Sequence, residues 1–372
     1  MTVAASLVEF RGVGKRYAAG GPAAVADLDL VIERGEFLTL LGPSGSGKTT
    51  TLMMLAGFET PSTGEIFLGG ASLADRPPYR RNMGVVFQNY ALFPHMSVAE
   101  NVAFPLRVRG IRGSEAARKV ADALALVKLD GLGERRPDAM SGGQRQRVAL
   151  ARALVFEPDL VLMDEPLGAL DRQLREHLQI EIKRIQRTLG LTIVYVTHDQ
   201  GEALTMSDRI AVFAGGRVQQ VGRPDAIYET PANAFVAAFV GENNMLAGTV
   251  MERHDDRCII RLPGGQIVRA TATGAMAAGD SVIAAIRPEH VETGITPPAC
   301  SNAIEARVEE LAYHGDHSRI RAALDGGGSL VIRVPSTADF TAGQRLPVGW
   351  CADRCFAFPA DDGTAACQKA VA

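Results

Sequence analysis

The stretch GPSGSGKTT, Gly42 to Thr50, has the residue types and spacing of a phosphate cradle: it fits G-x-x-x-x-G-K-[ST], with an apolar run before it and a helical pattern after it. Gly42, Gly45 and Gly47 let the backbone wrap an anion without Cβ clashes, and the N–H groups from Ser44 and Ser46 on to Thr49 point inward. The helix that starts at Lys48, Thr49 and Thr50 adds the positive end of its dipole. Lys48 is placed to reach the outer phosphates of a nucleotide such as ATP, and the Thr49 hydroxyl to ligate Mg2+. The bland alternative is an incidental Gly-Ser loop, and the flanking strand and helix argue against it.

A cradle alone hydrolyses nothing; a carboxylate that orients the metal and a group that places water are also required. Both occur in LVLMDE, where Asp164 and Glu165 follow four apolar residues at a strand end. Asp164 is the expected Mg2+ contact, through water, and Glu165 the carboxylate that polarises the attacking water. Taken alone, the pair reads equally well as a solvated strand end. His198, in YVTHD, ends another apolar run. There it is either a satisfied polar residue or, in the company of a cradle, a group that holds the γ-phosphate and the water; it is assigned positioning rather than proton abstraction. Met140 to Leu154, MSGGQRQRVALARAL, opens with Ser141, Gly142, Gly143 and Gln144 and reads as a helix N-terminus whose free amides make a second anion site. If a helical insert holds that site away from Lys48, two chains placed head to tail close both sites on one nucleotide, and ATP joins them.

The elements that must position these residues follow from periodicity. Residues 7–33 alternate as strands joined at Gly20-Gly21-Pro22, and FLTLL passes through the cradle into a helix that stops at Gly57. Apolar residues in SEAARKVADALALVKLDGL recur every three or four positions, as on an amphipathic helix. Helices in GQRQRVALARALVFEP and REHLQIEIKRIQRTLG alternate with core strands in DLVLMDEP and LTIVYVTHD, so a layered α/β domain extends over 1–240, with a helical part at 97–155. From Gly241 the texture changes to strand candidates separated by Gly, Pro and Asp, which predicts a small β-rich domain over 241–372.

With 372 residues the chain is long enough for two or three domains. Its 42 acidic against 39 basic residues, net −3, offer no broad attraction for a phosphate backbone, so no nucleic-acid partner is expected. No segment reads as a secretion signal, and no window reaches the roughly 18 uncharged apolar residues of a membrane span; a soluble, cytoplasmic protein is expected. The five cysteines, Cys258, Cys300, Cys351, Cys355 and Cys367, read as free thiols, because CADRC lacks a second pair to complete a zinc site. One stretch, NYALFPHMSVAENVAF from Asn89 to Phe104, serves neither a core strand nor a plain loop. Ser97 and Glu100 predict a capped helix start, but Tyr90, Leu92, Phe93 and Pro94 before it look like a knob awaiting a partner.

Together and in order, these motifs resemble the nucleotide-binding subunits of ATP-binding cassette (ABC) importers that carry a C-terminal accessory β-domain. The resemblance covers nearly the whole chain: GPSGSGKT as Walker A, LVLMDE as Walker B, MSGGQ as the signature with Met140 for the usual leucine, and His198 as the switch histidine. It further implies Gln88 as the Q-loop glutamine near Mg2+ and the γ-phosphate, Asp171 in GALD as the D-loop aspartate, and Tyr17 in KRY as the ring that stacks on adenine. The implied fold is an α/β P-loop ATPase domain with a helical subdomain, followed by a small β-barrel-like domain of the OB-like TOBE kind. The implied assembly is a homodimer of cassettes on the cytoplasmic face of the inner membrane, bound to membrane-spanning permease subunits and, through them, to a solute-binding protein. The segment after Gln88 then forms the cleft for a coupling helix of the permease, with Met96 and Val98 near the wall made by Tyr90, Leu92, Phe93 and Pro94. For solute, YALFPHMSVAENVAF, FVAAFVGENNML and IRPEHV most resemble polyamine importers of the spermidine and putrescine type, while iron, sugar, thiamine and sulfate importers share much of the pattern.

Overall fold

β1 (Ser6–Lys15) pairs in antiparallel fashion with β2 (Val25–Glu33), whose burial alternates, and shifts of register interrupt the pair. The next strand, β3 (Phe37–Leu41), is buried on both faces, as an unbroken apolar run in a parallel sheet requires. It feeds α1 (Lys48–Ala56), which Gly57 ends at φ 87°. β4 (Thr63–Leu68) and β5 (Ala71–Ser72) extend the first pair into a sheet of order β2-β1-β4-β5. The computed structural model describes residues 6–18, 20–168, 170–294 and 301–360, so Cys300 and Cys367 lie outside the described residues.

After β6 (Met83–Val86) come three helices, α2 (Val98–Val108), α3 (Gly113–Leu126) and α4 (Gly142–Leu154). α2 starts as S-x-x-E predicts: Ser97 Oγ accepts the Glu100 N–H at 3.2 Å, and Glu100 Oε2 accepts the Ser97 N–H at 2.8 Å. β7 (Leu160–Asp164), α5 (Arg172–Leu189), β8 (Thr192–Thr197), α6 (Gln200–Met206), β9 (Arg209–Ala214) and β10 (Arg217–Gly222) complete a six-stranded sheet of order β10-β9-β3-β8-β7-β6. Its pairs are parallel except β9 with β10. Register brings the carboxyl ends level: Leu41 opposite Thr197, Asp164 opposite Val196, Val86 opposite Met163. Loops leaving these ends meet at one edge of the sheet, where open α/β sheets place their ligands.

The two-residue period of β7 divides the core between the sheet's faces. Val161 and Met163 pack with Val102 and Val148 of the helical part, while Leu160 and Leu162 pack with Leu40 and Leu52 on the other side. Buried Glu181 of α5 pairs with Arg147 of α4 at 2.9 Å, fastening those two helices where an unpaired carboxylate would be costly.

The chain forms two compact units, Met1–Pro224 and Asp225–Ala372, and α7 (Pro224–Glu229) crosses the division. The division lies before the expected 240/241 boundary because α8 (Ala234–Phe239) packs Ala234 and Ala237 on Ala285 and Phe358 of the second unit. That unit continues with β11 (Asn244–His254), β12 (Arg257–Arg261), β13 (Ile267–Ala272), β14 (Ser281–Ile286), β15 (Glu292–Thr293) and β16 (Ser301–Tyr313). β17 (His317–Leu324), β18 (Ser329–Pro335), β19 (Arg345–Cys351) and β20 (Cys355–Pro359) finish it. Strands β11-β12-β13-β20-β14 close a barrel, and β15-β19-β16-β17-β18 form a second sheet that shares its core. Cys258 and Cys355 are free thiols, and burial pushes Cys355 up to about 12. Among the described residues no helix is long and apolar enough to cross a membrane.

Candidate active site

The loop between β3 and α1 takes a shape that only its glycines permit. A Cβ on Gly42 would lie 2.3 Å from the Phe213 carbonyl oxygen, and Gly47, at φ 103°, would bring one within 2.4 Å of the Ala24 oxygen. Gly45, at φ 77°, faces open space beside exposed Ser44, while Ser46 is buried and its N–H donates to the Pro43 carbonyl at 3.3 Å. Lys48 Nζ donates to the Gly42 and Pro43 carbonyls at 2.7 and 2.9 Å, so the ammonium lies inside its own loop. Burial pulls its pKa down, and Glu165 and Asp164 partly oppose that. Tyr17, 62% exposed, stands at the end of β1 with its hydroxyl 3.4 Å from Thr50 Oγ1.

From the edge of the sheet, Asp164 Oδ1 accepts the Thr49 hydroxyl at 3.0 Å. Burial raises the Asp164 pKa; the Thr49 hydrogen bond opposes the rise and neighbouring Glu165 adds to it. Glu165 takes the left-handed backbone region at φ 43°, with its N–H on the Val196 carbonyl at 3.0 Å. A non-glycine residue held there has its conformation imposed by its surroundings, a common feature of reactive sites. Its two oxygens are claimed from both sides: His198 Nδ1 lies 3.1 Å from Oε1, and Gln88 Nε2 donates to Oε2 at 3.4 Å. Hence Thr49, Gln88, Asp164, Glu165 and His198, far apart in sequence, form one constellation around the loop that holds Lys48.

Ser141, Gly142, Gly143, Gln144 and Asp171 make a second grouping. Ser141 Oγ accepts the Gln144 N–H at 3.3 Å, and Gln144 Oε1 accepts the Ser141 N–H at 3.0 Å. Asp171 caps α5, accepting the Leu174 N–H at 2.9 Å. The starts of α4 and α5 adjoin, because a Cβ on Gly143 would sit 2.9 Å from Leu174 Cδ2 and one on Gly142 3.3 Å from Leu170 Cδ2.

Sequence reasoning passed over the side chains that join the groupings. Arg175 of α5 donates to the Leu170 carbonyl at 3.0 Å and to Asp199, next to His198, at 3.1 Å. Asp199 caps α6, and buried Glu202 accepts the hydroxyls of Tyr195 and Thr197 at 2.7 Å each. Burial raises the Glu202 pKa, against the pull of those hydroxyls. The D-x-x-E spacing after His198 signals a helix start, but nothing in it points to Arg175.

Near Gln88 the surface carries an apolar groove of about 570 Å³. Phe58, Tyr79 and Val108 line it at 54%, 70% and 62% exposure, a concentration of bare apolar surface that a soluble face rarely shows. Of the expected wall, Phe93 lines the groove, its ring 4.8 Å from that of Phe104. Tyr90 and Val98 are instead buried in the core, and Leu92 packs against them. The turn before α2 sends Tyr90 inward, so its apolar residues divide between core and surface.

Comparison with known proteins agrees with this geometry. The profile of the family described as ABC transporter matches residues 25–168, and that of the TOBE domain matches residues 284–358. The spermidine/putrescine import ATP-binding protein PotA of Rubrobacter xylanophilus is 50% identical, over 94% of this chain and 92% of its own. The protein of the same name from Trichodesmium erythraeum is 44% identical, over 94% of each. Among solved structures, a dimeric post-hydrolysis ATP-binding cassette bound to ADP and Pi matches at TM-score 0.54 and 32% identity, over 59% of this chain and 99% of its own. The chain therefore belongs to the ATP-hydrolysing subunits of ABC transporters, with a TOBE domain in its second unit.

Proposed function

We propose that this chain hydrolyses ATP for an importer of polyamines, spermidine or putrescine, as a peripheral subunit on the cytoplasmic face of the inner membrane. The convergence of Asp164, Glu165, Gln88 and His198 on the loop of Lys48 and Thr49 supports the hydrolytic part of the reading. The solute is supported by relatives named for spermidine/putrescine import that align along nearly their whole length.

Thr49 Oγ1 and Asp164 Oδ1, 3.0 Å apart, are hard oxygen donors of the kind Mg2+ takes, and Gln88 adds an amide oxygen nearby. Mg2+ held by these oxygens would supply charge neutralisation for the outer phosphates of ATP. Lys48 exchanges its own loop's carbonyls for phosphate oxygens, and the N–H groups from Ser44 to Thr49 supply backbone donors. Tyr17 stacks on adenine. Glu165, oriented by Gln88 and His198, polarises the attacking water, and His198 steadies both water and γ-phosphate. Ser141, Gly142, Gly143 and Gln144 of a second copy close over the same nucleotide, with Asp171 at the contact between copies. Transport runs through membrane-spanning permease subunits; the groove beside Gln88 receives a short apolar helix from them, and a solute-binding protein acts through the complex.

Two measurements test the reading. Glu165→Gln is expected to bind ATP while losing more than about nine-tenths of turnover; hydrolysis above that level sinks the role of Glu165. Uptake of radiolabelled solutes by the reconstituted complex should favour spermidine or putrescine, and preference for iron, sugar, thiamine or sulfate would replace the substrate while leaving the ATPase reading intact.

A further inference from the structure

Between Gln88 and α2 the backbone does something costly. Tyr90 and Ala91 are consecutive non-glycine residues at φ 61° and 47°, a region that penalises any Cβ. Neither is freed by a neighbouring glycine, so something outside the turn must hold it. The Tyr90 N–H closes back on the Phe87 carbonyl at 2.9 Å, and the Ala91 N–H on the Asn89 carbonyl at 2.7 Å. Those bonds shape the turn but leave the Tyr90 and Ala91 carbonyls pointing away from it.

Both carbonyls are taken by one side chain. Arg152, in the last turn of α4, donates Nη2 to the Tyr90 oxygen and Nη1 to the Ala91 oxygen, each at 2.7 Å. Its guanidinium carbon lies 5.7 Å from the centre of the Phe93 ring, and it lines the same groove as Phe93. Buried Asn101 of α2 grips the far side, accepting the Phe93 N–H at 2.8 Å and donating to the Phe93 carbonyl at 3.1 Å. The fork geometry of arginine suits two adjacent carbonyls; a lysine, as a point donor, cannot span them equally.

We infer that Arg152 is a positioning residue for hydrolysis: it holds the strained turn at Tyr90 and Ala91 and so sets Gln88 against Glu165, tying the signature helix and the groove wall to the reacting end of the sheet. The path is short. Arg152 fixes the Tyr90 carbonyl, the Tyr90 N–H fixes the Phe87 carbonyl, and Gln88, one residue on, donates to Glu165 at 3.4 Å. Arg152 sits on the helix that Ser141 to Gln144 begin, so displacement of α4 by a second copy moves the turn, and an occupant of the groove is felt at the same guanidinium. The inference rests on the proposed role of Glu165.

The test uses the full chain. Arg152→Lys is expected to lower kcat for ATP about tenfold with the KM for ATP held within about twofold, the signature of a lost transition-state contact rather than lost binding. Hydrogen exchange at residues 89–93 should accelerate in the same variant. Adding Ala91→Gly, which removes the Cβ penalty at a positive φ, should restore most of kcat and of the exchange protection. A merely structural arginine predicts no such rescue. Wild-type kcat and wild-type exchange in Arg152→Lys overturn the inference, as does a loss that Ala91→Gly fails to repair. If Arg152→Lys does not fold, Ala91→Gly alone decides: a raised Tm supports a strained, clamped turn, and a lowered Tm overturns it. Exchange and melting need no nucleotide, so they judge the clamp even if Glu165→Gln retains turnover and the role of Glu165 fails.

Discussion

At the scale of single residues, Lys48 and Asp164 show what the site costs the fold. An ammonium enclosed in its own loop and a carboxylate buried beside another carboxylate are both electrostatically disfavoured. For Asp164 the sign is definite. Its pKa is higher folded than unfolded, so the native state binds the proton more tightly. Stability therefore falls as pH rises from the unfolded value, about 3.9, through the raised folded one. Asp164→Asn, which keeps an oxygen for the Thr49 hydroxyl, is expected to raise the nucleotide-free Tm at neutral pH, with the gain closing below about pH 4. Melts across that range check it, and an equal or lower Tm at neutral pH refutes it. The same variant should hydrolyse poorly, since the amide replaces the carboxylate proposed to orient the metal.

At the scale of elements, the turn between β6 and α2 separates packing from partnership. Leu92 packs on the core, so Leu92→Ser should cost about 1–3 kcal/mol, read as a lower denaturation midpoint. Phe93 lines the groove, so Phe93→Ser should leave the melting temperature within a few degrees and weaken capture of permease subunits in a pull-down. The reverse pattern would place Phe93 in the core and deny the groove its partner. α5 offers a second case. Arg175→Ala removes the group joining the Leu170 carbonyl to Asp199 and leaves that carboxylate without its ion pair, an expected loss of about 1–3 kcal/mol. It should also slow turnover, because Asp199 caps the helix that follows His198; unchanged turnover would restrict Arg175 to a stabilising role.

For the whole molecule, the proposed joining of two copies by ATP is the property to test. The Ser141–Gln144 pair and the Lys48 loop each make their bonds locally, within one chain. In the proposed reading a second copy completes the site, and hydrolysis removes what joins the two. Glu165→Gln with Mg-ATP is expected to double the mass seen by light scattering, and ADP is not. A mass independent of nucleotide would remove ATP as the joining element.

GPSGSGKTT, LVLMDE and MSGGQ were legible because each is a contiguous chemical device, whose glycines, carboxylates and amides work through neighbours a few residues away. The unbroken apolar run of β7, the capping box at Ser97 and the helix start at Ser141 were legible for the same reason: apolar patterning and helix starts are local. The joining side chains were not. Arg152 meets the Tyr90 carbonyl across 62 positions, and Arg175 meets Asp199 across 24. Their partners are a backbone oxygen and a helix cap that carry no mark in composition or spacing. The inward turn of Tyr90 was equally hidden, because an aromatic before a helix reads the same whether it faces core or solvent. So the sequence by itself determined the chemistry and the order of the elements, while the tertiary structure alone decided which distant groups hold the reacting ones in place. Backbone carbonyls and distant guanidinium groups become partners only when parallel strands bring their carboxyl ends into register.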